Sequence, residues 1–168
     1  MTTAQLTDAE LRHVARAVDL AAEALDAGDE PFGSVLVNAG GEVLREARNL
    51  VRTTGDETRH PEFELARWAA EHLDPRERSL AAVYTSGEHC PMCAAAHGWA
   101  GLGKIVYAHS SAELAQWLGD LGVAPPAVAP LDIRTVVPGL EVQGPVTDFT
   151  DRLRAMHREL HTRAGHRP

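Results

Sequence analysis

Lysine is almost missing from this 168-residue chain: Lys104 stands alone among 16 basic residues, which face 24 acidic ones. The formal net charge of -8 gives a field that repels phosphate backbones unless a basic patch is segregated, so a small-molecule partner is favoured over nucleic acid. Cysteine is scarce too. Cys90 and Cys93 are the only two, which excludes a disulfide framework; a lone C-x-x-C without a secretory signal reads as metal-binding or redox chemistry and points to the cytoplasm. No apolar run approaches the roughly 20 residues that cross a bilayer, and Met1 to Glu10 lacks a basic segment leading into an apolar one, so neither membrane insertion nor export is expected. With 44% hydrophobic residues and a length inside the range of roughly 100–200 residues usual for one domain, residues 1–168 are expected to form a single globular unit.

Thr7-x-x-Glu10 has the form of a capping box, and Leu11, Val14, Ala15, Val18, Ala22 and Leu25 follow at helical spacing up to Gly28. Phe32 to Val37 and Glu42 to Ala47 read as a β-hairpin reversed at Asn38-Ala39-Gly40-Gly41. A loop from Asn49 to Arg59 then leads to Pro61, whose fixed φ suits a first helical turn, and to a helix ending near Leu73, before Asp74-Pro75. Leu80 to Thr85 reads as a strand, Pro91 to about Ala100 as a helix, Lys104 to Ala108 as a strand and Ser111 to Leu118 as a helix. Gly119 to Gly139 is Pro-rich and irregular around a possible strand at Ile133 to Val136, and Thr147 to His161 is helical. Alternating strands and helices imply an α/β layer structure with the later strands parallel.

The chemistry concentrates in His60-Pro61-Glu62 and Cys90-Pro91-Met92-Cys93, each at the start of a helix. Zn²⁺ takes imidazole and thiolate readily, and a C-x-x-C at a helix N-terminus turns two sulfurs toward one point. With His60 as third ligand a tetrahedral position stays open, the arrangement in which zinc makes a water acidic. Glu62, two residues from His60, could take that water's proton and return it to a ring nitrogen and a leaving amine. Two other readings of the cysteines stand beside this one. A thioredoxin-like redox pair would leave His60 and Glu62 without a role, and a structural zinc would need a fourth ligand, for which His89 is the nearest candidate.

H-x-E followed by C-P-x-C resembles the zinc-dependent cytidine/deoxycytidylate deaminase superfamily. The likeness extends over most of Pro31 to Ala108, with Pro31 to Val37, Asn49, Trp99 and Lys104 to Ala108 falling where the guanine-deaminase-like branch has counterparts. It implies a three-layer α/β/α sandwich around a five-stranded mixed sheet, a homodimer, and a C-terminal helical tail, about 145–168, that packs on or swaps with a partner subunit. It implies substrate contacts from Asn49, through its amide, and from Phe32 and Trp99, as aromatic walls. Two departures stand out: Pro61 where the family carries a small residue, and His89 where it carries proline before the first cysteine. His89 makes a pocket contact conceivable, as does His97, which replaces an apolar residue of relatives. Leu121 falls where guanine deaminases place a second, proton-shuttling carboxylate, and Asp120 and Glu113 are the neighbouring substitutes.

The resemblance therefore implies hydrolytic deamination of a free nucleobase or related aminated heterocycle, with water as co-substrate. Guanine is the first expectation, with cytosine, isoguanine or an aminotriazine as alternatives. Nucleoside cytidine deaminases fit less well, because Met92 stands where their motif carries glycine. The basic run Arg152, Arg154, Arg158, Arg163 and Arg167, with His157, His161 and His166, admits a tRNA-binding arm as in tRNA adenosine deaminases. A solvated helix whose Phe149, Leu153, Met156 and Leu160 pack inward is the preferred reading, in keeping with the acidic overall charge. An inactive zinc-stabilised scaffold is the rival from another class.

Overall fold

A computed structural model describes residues 5–164. Helix α1, Asp8–Asp26, starts at the expected capping box: Thr7 Oγ1 accepts from the Glu10 amide while Glu10 reaches back to Thr7. Strands β1, Gly33–Val37, and β2, Val43–Arg48, form the hairpin. Asn38 Oδ1 closes its turn by accepting from the amides of Gly40 and Glu42, and Gly41 supplies a φ of 85°. Then come α2 (Val51–Thr54), α3 (Pro61–His72), α4 (Pro75–Leu80), β3 (Ala82–Gly87), α5 (Pro91–Ala100), β4 (Ile105–His109) and α6 (Ser111–Asp120). The chain continues through α7 (Ile133–Val136), β5 (Val142–Gln143), a 3₁₀ turn at Thr147–Phe149 and α8 (Thr150–Ala164).

The five strands lie in the order β2-β1-β3-β4-β5; β1 is antiparallel to both neighbours, and β3, β4 and β5 are parallel. One face buries Val35, Val37, Tyr84, Val106 and Ala108 against α1, Trp117 of α6, and Leu153, Met156 and Leu160 of α8. The other buries Leu36 and Val83 against Leu65, Ala66 and Ala69 of α3, and Ile105 and Tyr107 against Ala94 of α5 and Ile133 of α7. This is the expected three-layer α/β/α sandwich with a mixed sheet, and α8 packs on its own chain's core.

Three local expectations are corrected. Ile133 to Val136 is helix α7, not a strand: Asp132 caps it by accepting from the Arg134 amide, and Ile133 N–H donates to Glu88, so caps override a β-branched run. The fifth strand is Val142–Gln143. Asp74-Pro75 does not merely end α3 but opens α4, with Asp74 and Glu77 in a capping box. The Asn49 to Arg59 loop contains the short α2, closed by Gly55 at φ 69°.

Close approach of α1 to the sheet depends on Gly33, where a Cβ would lie 2.4 Å from both Ala17 O and Leu20 Cβ. Gly33→Ala is therefore expected to destabilise the fold by about 1–3 kcal/mol through overpacking, read as a lowered urea midpoint at unchanged m; an unchanged midpoint would mean that α1 can shift outward.

Candidate active site

Two helix starts built alike converge at the carboxyl end of β3. His60 is the N-cap of α3 and Cys90 the N-cap of α5; both are extended (ψ 140° and 165°), and each precedes a proline at the first helical position. Pro61 is thus not an obstacle: it repeats at α3 what Pro91 does at α5. Cys93, one turn into α5, is fully buried.

The two sulfurs are 3.5 Å apart, and His60 Nδ1 lies 3.6 Å from each. Tetrahedral zinc, with bonds of about 2.3 Å to sulfur and 2.0–2.1 Å to nitrogen, separates its ligand atoms by about 3.5–3.8 Å. The donor set fits zinc in both spacing and chemistry. The electrostatics agree. A hydrogen bond from its sulfur neighbour and another from His60 draw the Cys90 thiol down to about 4, whereas the same sulfur contact and burial drive Cys93 up. His60, hydrogen-bonded to Cys90, rises to about 9. A divalent ion bound by the three groups would let both sulfurs ionise together.

Glu62 lies in the first turn of α3 and is 5% exposed. Its Oε2 is 3.9 Å from Cys93 Sγ, but the carboxylate is not part of the compact donor group of His60, Cys90 and Cys93; Oε1 accepts from Thr85 Oγ1 at 3.0 Å. Ser34 Oγ donates to Thr85 Oγ1 at 2.9 Å, which leaves the threonine proton free to point at the carboxylate. Burial raises the Glu62 pKa to about 7, opposed by the positive charge of His60.

Residues 7–109 match the zinc-binding region of the cytidine and deoxycytidylate deaminases. The chain belongs to that family. Its members are hydrolases of C–N bonds, and His60, Cys90 and Cys93 are placed so that they could hold the family's zinc. The chain is 29% identical over 126 residues to a probable cytosine deaminase of Schizosaccharomyces pombe, covering 75% of this chain and 76% of that protein. It is 38% identical over 102 residues to a guanine deaminase of Bacillus subtilis, covering 60% of this chain and 65% of that one. A guanine deaminase from Nitrosomonas europaea shares the fold with a TM-score of 0.69 at 18% identity, covering 96% and 97% of the two chains.

Within this deaminase fold the other expected site residues divide. Asn49 is buried in the loop after β2; its Oδ1 accepts from the Val51 amide and its Nδ2 has no partner. Phe32 is half-buried just before β1, its ring 6.0 Å from His109 and 5.2 Å from His157. His89 and His97 are both buried, 5.3 Å apart edge to face. His97 Nε2 bonds to the Gly103 carbonyl, whereas neither His89 nitrogen has a partner.

Three expected site residues are placed as follows. Trp99 is 90% exposed in the single chain. The Glu113 carboxylate accepts from the Ser110 amide and hydroxyl as the return half of a capping box. Asp120 is exposed at the end of α6, 3.6 Å from Arg154. The C-terminal arginines likewise turn to their own chain: Arg152 pairs with Asp19, Arg154 with Asp120 and Arg163 with Glu159. His157 belongs to the core and not to a basic face; His166 and Arg167 lie outside the described residues.

Sequence reasoning passed over Thr85, Ser34 and His109. Strand C-terminal ends in an α/β sheet are where ligands bind, and that rule would have singled out His109. Zinc content separates ligands from neighbours: the purified chain is expected to hold about one zinc, His60→Ala and Cys93→Ala to fall well below that, and Glu62→Gln to keep it. Zinc loss from Glu62→Gln would make the carboxylate a ligand.

Proposed function

We propose that the chain is a hydrolytic deaminase of a free nucleobase or closely related aminated heterocycle, guanine first among them. The observation that carries this is a buried carboxylate, Glu62, held by Thr85 against the zinc-ligand cluster without joining it. When bound, zinc supplies the Lewis acidity that makes water a nucleophile near neutral pH.

Glu62 does the proton work. As a carboxylate it removes the proton of the attacking water while oxygen adds to the ring carbon bearing the amino group; it then delivers that proton to the adjacent ring nitrogen. A second proton passes through the same carboxylate to the amino nitrogen, the C–N bond breaks, and ammonia and the oxo base leave. The Thr85 hydroxyl fixes Oε1, so Oε2 on the cluster side is the oxygen that moves protons. Burial serves this role, since a carboxyl near pH 7 both takes and returns a proton at small cost. The unpartnered Asn49 Nδ2 offers a donor to an acceptor on the heterocycle, and the half-buried Phe32 ring offers an apolar wall. Cytosine, isoguanine and aminotriazines remain in range because the same donor and wall suit them.

Glu62 must be deprotonated to begin the cycle. Its pKa is raised to about 7 by burial, and a neighbouring divalent cation lowers it again. kcat/KM is therefore expected to rise with pH along an acid limb with an apparent pKa no higher than about 7. Ammonia release from guanine, isoguanine, cytosine, adenine and aminotriazines tests the assignment, with Glu62→Gln expected to cost at least about 10²–10⁴-fold while keeping zinc. Activity in that variant equal to wild type would remove Glu62 from the mechanism, and silence across the panel in zinc-loaded protein would remove the free-base assignment.

A further inference from the structure

Ser34, Thr85 and Tyr107 form a row across β1, β3 and β4, and Thr85 in that row holds Glu62. Side chains on a strand alternate, so residues two positions further toward the same end of the sheet face the same way. That row is Phe32, Gly87 and His109, with Gly87 registered against His109. It lies one pleat beyond Glu62, about 6–7 Å along the strands. Gly87 makes the space: a Cβ there would stand 2.9 Å from Cε1 and Nε2 of His109 and from Cε1 of Phe32. The two rings therefore meet over a strand end that carries no side chain, two residues past the threonine that anchors the carboxylate.

The His109 tautomer follows from its contacts. Nδ1 lies 3.2 Å from the Ser110 carbonyl oxygen, which can only accept, so Nδ1 carries the proton and Nε2 a lone pair. Nε2 is buried and has no donor, and the whole residue is 1% exposed. The ring is fixed by the His157 ring, perpendicular at 5.4 Å, and by Trp117 at 5.2 Å. Burial holds the His109 pKa down to about 4, so the imidazole is neutral at physiological pH. A buried acceptor left empty costs free energy that a ligand's N–H would recover.

We propose that His109 Nε2 is a specificity-determining acceptor of the base site, receiving a hydrogen bond from a ring N–H of the heterocycle on the edge remote from the departing amino group. Asn49, whose backbone N–H donates to the Phe32 carbonyl at 2.9 Å, holds a buried, unpartnered side-chain donor next to Phe32. The pair selects a heterocycle with one ring acceptor and one ring N–H. It rejects the same base when a sugar or methyl group replaces that hydrogen, because the substituent removes the donor and meets the Phe32 and His109 rings.

The inference rests on the free-base assignment, and the test keeps the two apart. kcat/KM is measured for guanine against 9-methylguanine and for cytosine against 1-methylcytosine in wild type, His109→Ala, His109→Gln and His109→Phe. Wild type is expected to prefer the unmethylated base. The preference should fall about tenfold in His109→Ala, mainly through KM, which is the worth of one buried hydrogen bond. His109→Gln, which presents an amide oxygen, should regain part of it. His109→Phe fills the ring space without an acceptor and carries the comparison if the alanine variant does not fold; zinc content verifies each protein. An undiminished preference in folded, zinc-loaded His109→Phe or His109→Ala overturns the role of His109 and leaves the free-base assignment standing. No ammonia from either unmethylated base in wild type overturns both.

Discussion

Two sulfurs 3.5 Å apart and a buried carboxylate 3.9 Å from one of them are a concentration of negative charge that a protein interior does not hold unaided. Two helix N-termini contribute positive potential to the same recess, yet their partial charges are smaller than the charge they face. Cys93 is accordingly driven toward its neutral thiol and Glu62 toward its neutral acid. A divalent cation resolves both at once, and much of the surrounding structure can be understood as scaffolding for the point where it belongs. The sheet sets β3 so that its end delivers Cys90, α3 and α5 pack side by side, and a proline starts each of them at a fixed angle.

The support extends outward through carboxylates that bind backbone. Asp29 is fully buried and holds the loop after β2: it accepts from the Thr53 amide and hydroxyl and pairs with Arg48 at 3.1 Å. Those bonds outweigh burial and keep its pKa low. Asn49 lies inside that braced segment, so the direction of its free amide is set by a residue that touches no substrate. Glu88 does the same for the cysteine loop, accepting from the Ser111 amide with one oxygen and the Ile133 amide with the other. It ties the starts of α6 and α7 to a position two residues before Cys90. These contacts bridge 19 to 45 residues of sequence, and no local pattern announces them.

That contrast explains what the sequence disclosed. Features written within four or five residues were legible: the Thr7 capping box, the Asn38 to Gly41 turn, prolines at helix starts, and H-x-E with C-x-x-C. Features that depend on which partner arrives from elsewhere were not. Ile133 to Val136 has the β-branched content of a strand, but an aspartate cap and a distant glutamate made it helical. Glu113 is an exception to that division, because Ser110-x-x-Glu113 is a local capping box of the same form as Thr7-x-x-Glu10. Trp99, to which the resemblance gives a wall of the pocket, is exposed on α5 in the single chain. His157 was counted with a basic surface although it shares a helical face with Leu153, Met156 and Leu160, the i, i+3, i+4, i+7 stripe that sends a side chain inward.

The division between chemistry and selectivity follows from the same geometry. The family match ends at residue 109, the last residue of β4, and takes in the metal ligands, Glu62, Thr85 and Asn49. Everything that packs around the far side of His109 comes afterwards: Trp117 from α6 and His157 from α8. Those helices are held by apolar contacts on the α1 face, where Leu153, Met156 and Leu160 meet α1 and the sheet, so they are anchored independently of the metal. A change in α6 or α8 can therefore reshape the end wall of the recess without disturbing the ligand cluster, because the two rest on opposite layers of the sandwich. Under the proposed role of His109, choice among heterocycles falls to packing contributed from beyond residue 109, whereas the donor cluster lies within the family match.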